Sequence, residues 1–414
     1  MPSLPPGYHA VDVPESRRGD VLRIDTWAFP GRLSEEDLAA LPMPMSFDRA
    51  RGVEADDGEL VALHSSYPFT EFPVPGARTP VSGLTWVGVH PGHRRRGLLR
   101  AMIDEHFERS LARGEAVSAL FAAEPAIYGR FGYGLAANDL RLKIPRGAAL
   151  REVPGAAGLR VRIERLDPER HGPLIQQVHA RVDRPGWATR QTPELLAAFL
   201  SDPEQLREGA ESMRVAIVER AGTAAGYALF RRKGVWEDAG PKGTVTVREA
   251  VAHDPAVARA LWGVLVDLDL MATVETSLLA VDDPLTHLLV DLRATNTRIS
   301  DNLWVRLLAV PQALADRRYA APVDLVLEVS DAQLVANAGR WHLVGGPDGA
   351  EATASKANPD LSLDVRELGS AYLGGTSLSA LAGAGLVTEH TAGALRTAAV
   401  AFGWPLAPVC SWIF

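Results

Sequence analysis

Cysteine is nearly absent from this chain, and long apolar runs are missing. Cys410 is the only cysteine among 414 residues, so an intrachain disulfide is excluded and nothing indicates a thiolate metal site. No stretch approaches the roughly 20 apolar residues that a membrane helix needs. Residues 1–20 lack the basic and then apolar pattern of a signal peptide. These absences predict a protein of the reducing cytoplasm, without a membrane span and without a metal.

An excess of basic residues is also missing. The chain has 51 aspartates and glutamates against 43 lysines and arginines, a formal net charge of −8. Binding to nucleic acid depends on a basic surface that releases counterions, so this balance argues against nucleic acid as a bulk partner. An acidic protein attracts cations, which favours a cationic amine as the substrate.

Residues 83–121 predict a strand, a loop, a helix and a second strand. The run GLTWVGV at 83–89 is typical of a strand, and the apolar residues that follow Leu98 recur with a period near four, as in a helix. Gly114 ends the helix, and AVSALF at 116–121 predicts the second strand. This order implies a parallel pair of strands joined by a crossover helix.

The order of elements predicts three domains of mixed α/β and α+β architecture. Residues 1–152 contain the strand–helix–strand unit. Residues 153–310 repeat its layout without the arginine cluster and without the glycine at the turn, and we interpret them as a scaffold copy that binds no cofactor. Residues 311–414 predict an α+β domain. Its apolar end, PVCSWIF at 408–414, predicts a buried terminus, because chain ends otherwise fray in solvent.

Hydrophobic periodicity predicts the individual elements of the two later domains. For the second domain they are a hairpin with strands at 215–218 and 227–231, a strand at 245–247, a helix at 257–271 and a strand at 274–281. For the third they are strands at 323–329, 341–344 and 361–365, and helices at 377–384 and 391–402.

The most informative segment is VGVHPGHRRRGLLRAM at 87–102. A diphosphate needs converging backbone N–H donors and the positive end of a helix, and an arginine loop that opens into a helix offers both. Gly97 has no Cβ, so a phosphate can approach the main chain. Gly88 indicates a bulge or the close approach of a ligand, and a bulged strand leaves amides free to pair with an extended pantetheine arm. The alternative is a solvated basic face; a Walker loop and a GxGxxG fingerprint are both missing.

These residues resemble the acetyl-CoA motif of the GCN5-related N-acetyltransferase (GNAT) superfamily, Arg/Gln-x-x-Gly-x-Gly/Ala at a helix start. Arg94 and Gly97 match it, whereas Leu99 replaces the usual small residue. Together with YGRFGYG at 128–134 and the terminal phenylalanine, the chain is similar to the enhanced intracellular survival (Eis) family. The resemblance implies two tandem GNAT-like domains and a sterol-carrier-like domain, acetyl-CoA as co-substrate, and a homohexamer. The cofactor contacts that it implies are Val87, Gly88, Val89, Arg95, Arg96, Gly97, Leu98, Leu99, Arg100, Ala123 and Glu124.

Acetyl transfer from a thioester requires a proton for the departing thiolate. Tyr128 follows the second strand of the parallel pair, at the end where open α/β sheets place ligands. A tyrosine has an ordinary pKa of about 10 and a thiol one of about 8.5, so a tyrosine hydroxyl can supply this proton. The alternative is an aromatic side chain packed in a glycine-rich turn, which suits Tyr133 better. The resemblance to the Eis family selects Tyr128 as the general acid.

The base is less evident from the residues themselves. His64, His90, His93 and His106 lie in the first domain, but His106 falls on the apolar stripe of the helix and belongs to the core. The resemblance implies that the base is the terminal carboxylate of Phe414, acting through a bridging water. Burial by its apolar neighbours would raise the pKa of this α-carboxyl from about 3.5. The alternative is a hydrophobic plug at a domain interface.

Two further residues are candidates for substrate contact. Phe29, in the segment Trp27-Ala28-Phe29, either walls a cleft or belongs to the core. Asp291 either holds an ammonium group, as the resemblance implies, or caps a turn at the surface. The predicted function is acetylation of primary amines on a polycationic small molecule such as an aminoglycoside. The alternatives are a protein lysine or N-terminal acetyltransferase, and a lipid-binding module whose GNAT domain is idle.

Overall fold

A computed structural model describes residues 4–31 and 33–414 of the chain, which form mixed sheets covered by helices. The strands are β1 (Tyr8–Asp12), β2 (Arg51–Ala55), β3 (Leu60–Val74), β4 (Ala77–Val89), β5 (Val117–Leu120), β6 (Gly134–Leu135), β7 (Asn138–Pro145), β8 (Val161–Arg165), β9 (Arg214–Arg220), β10 (Thr223–Lys233), β11 (Trp236–Glu237), β12 (Gly240–Pro241), β13 (Gly243–Ala252), β14 (Met271–Ala280), β15 (Arg298–Asp301), β16 (Trp304–Leu307), β17 (Val323–Ser330), β18 (Gly339–Gly346), β19 (Gly349–Ala354), β20 (Leu361–Asp364) and β21 (Val387–Glu389). The helices are α1 (Arg18–Ala28), α2 (Glu35–Ala39), α3 (Leu98–Ala112), α4 (Pro125–Tyr128), α5 (Pro168–Ala180), α6 (Pro193–Leu200), α7 (Pro255–Val266), α8 (Leu285–Leu288), α9 (Val310–Ala315), α10 (Val365–Ala371), α11 (Leu378–Gly383) and α12 (Ala394–Phe402).

The first sheet has the strand order β1-β2-β3-β4-β5-β16-β6. Strands β4 and β5 are parallel and are joined by α3, as the strand–helix–strand pattern predicts. Helix α3 begins at Leu98 and is followed by Gly114, which has a φ of 78° in the left-handed region that glycine adopts readily. The pairing of β4 with β5 ends at Gly83 and Ala119, and β4 continues to Val89 paired with β3. The two strands therefore diverge toward their carboxyl ends.

The second sheet has the order β15-β7-β14-β13-β10-β9-β8 and exchanges strands with the first. Strand β7 follows β6 in the chain but pairs with β14 and β15 in the second sheet. Strand β16 belongs by sequence to the second region but lies between β5 and β6 in the first sheet. The two sheets are thus not separated at residue 152, because each takes a strand from the other side of that boundary.

The second region repeats the layout of the first, as its sequence predicts. Strands β9 and β10 form the predicted hairpin, and β13 and β14 are parallel strands joined by α7. The predicted helix end at residue 271 is wrong. Helix α7 ends at Val266, and the chain turns through Leu270, which has a φ of 65°, before Met271 opens β14. The long apolar run therefore covers the end of a helix and the start of a strand, which hydrophobicity alone does not divide.

The third region forms a sheet with the order β19-β18-β17-β20-β21, packed against α9 to α12, and its predicted strands and helices are found within three residues of their expected ends. The prediction of a buried chain end holds for Cys410, Ser411 and Trp412, which are at most 5% exposed. It is wrong for Ile413, which is 67% exposed. The final residue, Phe414, is half-buried.

Buried histidines predict that the folded chain loses stability in mild acid. Burial lowers the pKa of His64 and of His179 to about 3 and lowers that of His106 well below 6.5. The unfolded chain binds protons at these residues below about pH 6.5 whereas the folded chain does not, so the free energy of unfolding decreases as the pH falls. At pH 5.5 we expect a loss of about 1.4 kcal/mol per histidine.

Denaturant unfolding at pH 7.5 and pH 5.5 measures this loss. The His64→Leu variant is the control, because it removes one of the three groups and should reduce the pH dependence correspondingly. A free energy of unfolding that is equal or higher at pH 5.5 would contradict the assignment of these side chains as neutral core residues.

Candidate active site

A cavity of about 380 Å³ lies where β4 and β5 diverge. Its wall on the β4 side includes Thr85, Trp86 and Val87, and its wall beyond β5 includes Phe121 and Ala123. The backbone at Trp86 has a φ of 55°, and the pairing of β3 with β4 changes register around it. A bulge of this kind leaves main-chain groups of β4 without a partner in the adjacent strand. The opening therefore offers free backbone to an extended ligand.

The bulge lies at Trp86 and not at Gly88, where the sequence predicts it. Gly88 pairs with Leu63 in regular register and packs under α1. A Cβ at residue 88 would lie 3.1 Å from the Cβ of Ala28 and 3.1 Å from Cγ2 of Ile24. Glycine at residue 88 therefore allows α1 to pack closely on β4. A larger residue would be crowded by the side chains of α1.

The arginine loop leads directly into the first turn of α3. Arg95 and Gly97 have φ values of 62° and 87°, and Gly97 is the N-cap of the helix without a side chain to cap it. The first amides of a helix have no acceptor within the helix, so those after Gly97 remain available to an anion. A Cβ at Gly97 would have no heavy atom within 4 Å, which means that the space above this turn is open.

The arginines of the loop differ in their roles. The Arg96 guanidinium donates to the hydroxyl of Tyr8 at 2.5 Å and to the carbonyl of Gly92 at 3.3 Å, so it braces the loop against β1. Arg94, Arg95 and Arg100 are exposed. Leu98, the first residue of α3, is buried. Leu99 is partly buried and packs in the same apolar core as Val87 of β4.

Tyr128 ends α4 and lines the cavity. Burial raises the pKa of its hydroxyl to about 12, and the nearby negative charge of Glu124 adds to the rise. The side chain of Tyr128 packs edge-on against that of Tyr133, with ring centroids 5.8 Å apart. The hydroxyl of Tyr128 therefore stays protonated at neutral pH and is a proton donor rather than an acceptor in the cavity.

Tyr133 and His106 belong to the core, as their sequence positions predict. Tyr133 is fully buried, and its hydroxyl lies 2.8 Å from Oγ of Ser118. The same Oγ lies 2.8 Å from Nε2 of His106. These groups satisfy one another behind the sheet, and neither Tyr133 nor His106 is among the residues that line the cavity.

The end of the chain also lines the cavity. Both Ile413 and Phe414 line it. The Phe414 ring packs against Phe69 and Phe121, with centroids 4.8 and 5.3 Å away. Aromatic pairs at such separations are favourable beyond the area they bury, so the ring fixes the last residue beside the diverging strands.

Strands of the second sheet supply the polar end of the cavity, which the sequence does not predict. Asp139 and Arg141 come from β7, and Asp301 ends β15. Asp139 is fully buried, and burial raises the pKa of its carboxyl although the Arg141 guanidinium, 3.3 Å away, lowers it. The carboxylate of Asp301 accepts from the indole N–H of Trp304 at 3.0 Å. Strand β7, which joins the second sheet from the first region, and its neighbour β15 thus bring two carboxylates to the cavity.

Comparison with protein families accounts for most of the chain. Residues 12–136 match one model of the acetyltransferase (GNAT) domain, residues 186–307 match a second, and residues 310–411 match the sterol carrier protein domain. The N-acetyltransferase Eis of Mycobacterium tuberculosis is 35% identical over 84% of this chain and 84% of its own length. The chain belongs to the Eis family of GNAT acetyltransferases.

Other relatives agree with this membership. An uncharacterised N-acetyltransferase of Streptomyces avermitilis is 40% identical over 94% of this chain and 97% of its own length. The crystal structure of Eis1 from Mycobacterium abscessus superimposes with a TM-score of 0.81 at 31% identity, covering 98% of this chain and 100% of that one. The predicted fold class, two GNAT domains followed by a sterol-carrier-like domain, is confirmed, and so is the prediction of an acetyltransferase.

GNAT domains use acetyl-CoA as co-substrate, yet the two GNAT domains of this Eis-family chain differ at the helix that would meet the diphosphate. Helix α7 of the second domain is capped by Asp254, whose carboxylate accepts from the N–H of Val257 at 2.9 Å and pairs with Arg220 at 2.8 Å. A carboxylate already occupies the position that an anion would take. The second domain therefore lacks the open helix start that the first domain has at Gly97.

The structure does not bring every predicted site residue of the Eis-like set to the cavity. Phe29 lines it, at the end of α1 rather than at a helix start, and 45% of the residue is exposed. Glu124 is exposed, and its negative charge helps to raise the pKa of the Tyr128 hydroxyl. Asp291 is absent from the lining residues; it is exposed, and its carboxylate accepts from the N–H of Ala294 at 3.3 Å in a turn. This geometry corresponds to the second role considered for Asp291, a cap of a surface turn.

No helix among the described residues is long and apolar enough to cross a membrane. Within the same ranges, 4–31 and 33–414, no cluster of three or more His, Cys, Asp or Glu side chains could hold a metal ion.

A negative charge placed at residue 97 should abolish tight cofactor binding. In the Gly97→Asp variant, a carboxylate stands at the start of α3 as Asp254 does at the start of α7, and it repels the diphosphate. The matched control is Gly97→Asn, which has the same shape and tolerates a positive φ but carries no charge. We expect the Kd for acetyl-CoA to be at least about tenfold higher for Gly97→Asp than for Gly97→Asn.

Isothermal titration of both variants with acetyl-CoA measures the difference. Equal Kd values for the aspartate and asparagine variants would show that this turn does not meet the diphosphate.

Proposed function

We propose that this protein transfers the acetyl group of acetyl-CoA to primary amines of a polycationic small molecule, with aminoglycosides as the leading candidates. The observation that carries the proposal is the single cavity that joins the diverging ends of β4 and β5, the hydroxyl-bearing ring of Tyr128 and the final residue, Phe414. These are the three parts that acetyl transfer needs: a place for the thioester, a proton donor and a base.

Binding of acetyl-CoA is proposed from two features, the arginine loop that leads into α3 and the bulge of β4 at Trp86. The diphosphate is held by the amides after Gly97 with the exposed arginines nearby, and the pantetheine arm runs between Trp86 and Val89 along the edge of β4 that no longer pairs with β5. The proposed cofactor contacts are the set Val87, Gly88, Val89, Arg95, Arg96, Gly97, Leu98, Leu99, Arg100, Ala123 and Glu124. Arg96 contributes mainly by holding the loop in shape, because its guanidinium is bound to Tyr8 and Gly92.

The chemical step needs a base and an acid, and Phe414 and Tyr128 supply them. The terminal carboxylate of Phe414, through a bridging water, takes a proton from the acceptor ammonium, and the neutral amine attacks the thioester carbonyl. The carbon–sulfur bond then breaks, and the thiolate takes the proton of the Tyr128 hydroxyl. The acylated nitrogen gives up its second proton, which returns Tyr128 to its protonated form, so the one proton released overall is the one taken by the Phe414 carboxylate. Since burial keeps this hydroxyl protonated, it remains a donor across the neutral pH range.

A cationic acceptor fits the charges around the cavity. Asp139 and Asp301 line it, and Asp139 is fully buried with the Arg141 guanidinium 3.3 Å away. A buried carboxylate is stabilised by a bound ammonium group, so an acceptor with several amines gains more than a monoamine. Phe29 offers an apolar wall, and Asp291 remains a predicted ammonium contact at a distance from this cavity.

The family resemblance further supports a homohexamer in the cytoplasm. Light scattering after size-exclusion chromatography tests the oligomeric state: a hexamer supports the resemblance and a monomer contradicts it.

A panel of acceptors tests the function. Release of free thiol from acetyl-CoA is measured with aminoglycosides, linear polyamines, a simple monoamine and a lysine-rich protein. Turnover on polyamino small molecules that exceeds turnover on the monoamine and on the protein supports the proposal. Preference for the protein would replace it with a protein acetyltransferase, and acetyl-CoA binding without turnover on any amine would favour an idle domain.

A further inference from the structure

The last residues of the chain are bound by the second domain, although they follow the third domain in sequence. The N–H of Cys410 donates to the side-chain oxygen of Asn302 at 2.8 Å, and the Asn302 amide donates to the carbonyl of Cys410 at 3.1 Å. The N–H of Val409 donates to the carbonyl of Pro185 at 3.1 Å. Further upstream, Ala407 is held through its N–H by Asp282 and through its carbonyl by Arg184. The C-terminal segment 407–414, called the tail below, is therefore held by hydrogen bonds to the second domain at Ala407, Val409 and Cys410.

Ser411, the next residue, also binds the second domain, through a buried polar network. Its hydroxyl donates to Oε1 of Glu249 at 2.7 Å and lies 3.0 Å from Nε2 of His179. A hydroxyl donates only one hydrogen, so the His179 ring, which burial keeps neutral, carries its proton on Nε2 and donates it to Ser411. Arg190 also donates to Glu249, at 2.5 Å, and Tyr227 donates to the second oxygen of the same carboxylate.

The network is fully enclosed and continues to the next residue of the tail. Glu249, Arg190 and His179 are at most 4% exposed, and Ser411 is 5% exposed. The indole N–H of Trp412 donates to the carbonyl of Ala188 at 2.6 Å. A buried carboxylate that binds a cation and two hydroxyls has one favourable arrangement, because each lost partner leaves a charge uncompensated. Only two residues separate Ser411 from the chain terminus.

These contacts with the tail lie at the carboxyl ends of the parallel strands of the second domain. Pairing of β13 with β14 ends at Val247 and Thr276, and Glu249 follows within β13. Asp282 follows the end of β14. In the first domain, the corresponding ends of β4 and β5 enclose the acetyl-transfer cavity. The second copy thus holds a peptide segment where the first holds its ligands.

We propose that the second GNAT domain acts as a clamp that positions the terminal carboxylate for catalysis, with Ser411, Glu249 and Asn302 as positioning residues. The inference rests on the proposed function, in which that carboxylate is the base. A terminus in solvent samples many conformations, whereas a proton transfer requires a fixed donor and acceptor, and a displacement of 1 Å lowers rates by about 100-fold. The clamp supplies the fixed position.

A double-mutant cycle tests the clamp. The first change is Ser411→Ala, which removes the bond to Glu249, and the second is the addition of one glycine after Phe414, which moves the carboxylate. If Ser411 acts through the carboxylate, Ser411→Ala lowers kcat by about tenfold in the chain with its native end but by less than about twofold in the extended chain. The Kd for acetyl-CoA stays within about twofold in every variant, because neither change affects the helix start at Gly97.

The matched control is Thr79→Val, which removes another buried bond from a hydroxyl to a carboxylate, that of Thr79 to Asp316 at 3.0 Å, away from the tail. It should lower thermal stability as Ser411→Ala does and leave kcat unchanged. The clamp is overturned if Ser411→Ala lowers kcat by the same factor with both chain ends, or leaves kcat unchanged while the glycine extension lowers it. If the extension itself has no effect on kcat, the base assignment fails and the clamp fails with it.

Discussion

The Tyr128→Phe variant is expected to lose about 10²–10⁴-fold in kcat while it binds acetyl-CoA as tightly as the wild type. The substitution removes one oxygen and leaves the ring against Tyr133, so the packing of the site is preserved. What is lost is the hydroxyl whose pKa burial raises to about 12 and which therefore carries a proton at neutral pH. Without it, the thiolate of coenzyme A leaves unprotonated, and that step becomes limiting.

Tyr133→Phe is the control for this prediction. It removes the hydroxyl that bonds to Ser118 behind the sheet, so it should reduce the free energy of unfolding by about 1 kcal/mol and leave kcat within about twofold of the wild type. Steady-state thiol release and denaturant unfolding measure the two effects. Equal losses of kcat in the Tyr128 and Tyr133 variants would mean that turnover does not depend specifically on the Tyr128 hydroxyl.

Addition of one glycine after Phe414 is expected to lower kcat by about 100-fold. The extension moves the terminal carboxylate by up to about 3.5 Å and leaves an amide in its place, which cannot accept a proton. The aromatic contacts of the Phe414 ring with Phe69 and Phe121 can persist, so the cavity keeps its wall. Acetyl-CoA binding should be unchanged, which isolates the loss to the chemical step.

The Phe414→Leu variant separates the carboxylate from the ring. It keeps the terminal carboxylate but gives up the aromatic contacts, so we expect its kcat to fall by less than about tenfold. A glycine extension that is harmless, together with a Phe414→Leu variant that is inactive, would assign the last residue to packing and not to proton transfer.

The parts of the site that lie close together in sequence could be predicted from it. The arginine loop, Gly97 and the start of α3 are consecutive, so their chemistry is visible in one segment. The core position of Tyr133 could be predicted from its place in the glycine-rich turn, whereas the resemblance to the Eis family, and not a local pattern alone, selects Tyr128. Local patterns also predict the parallel strands and their crossover helices in both GNAT domains, because short-range periodicity reports these elements.

What the sequence leaves open depends on contacts between distant segments. Asp139 and Asp301 reach the cavity only because the two sheets exchange strands, and no local pattern signals that exchange. The need for glycine at residue 88 comes from the packing of α1, sixty residues earlier in the chain. The network around Glu249 joins residues between 179 and 411, and a buried charge in a strand gives no indication of its partners.

The stoichiometry of acetyl-CoA binding distinguishes the two GNAT domains, since the first has open amides at the start of α3 whereas Asp254 caps α7 in the second. Isothermal titration of the purified full chain should detect one site per chain, and that site should be lost in Gly97→Asp. Two sites per chain, or none, would contradict the account.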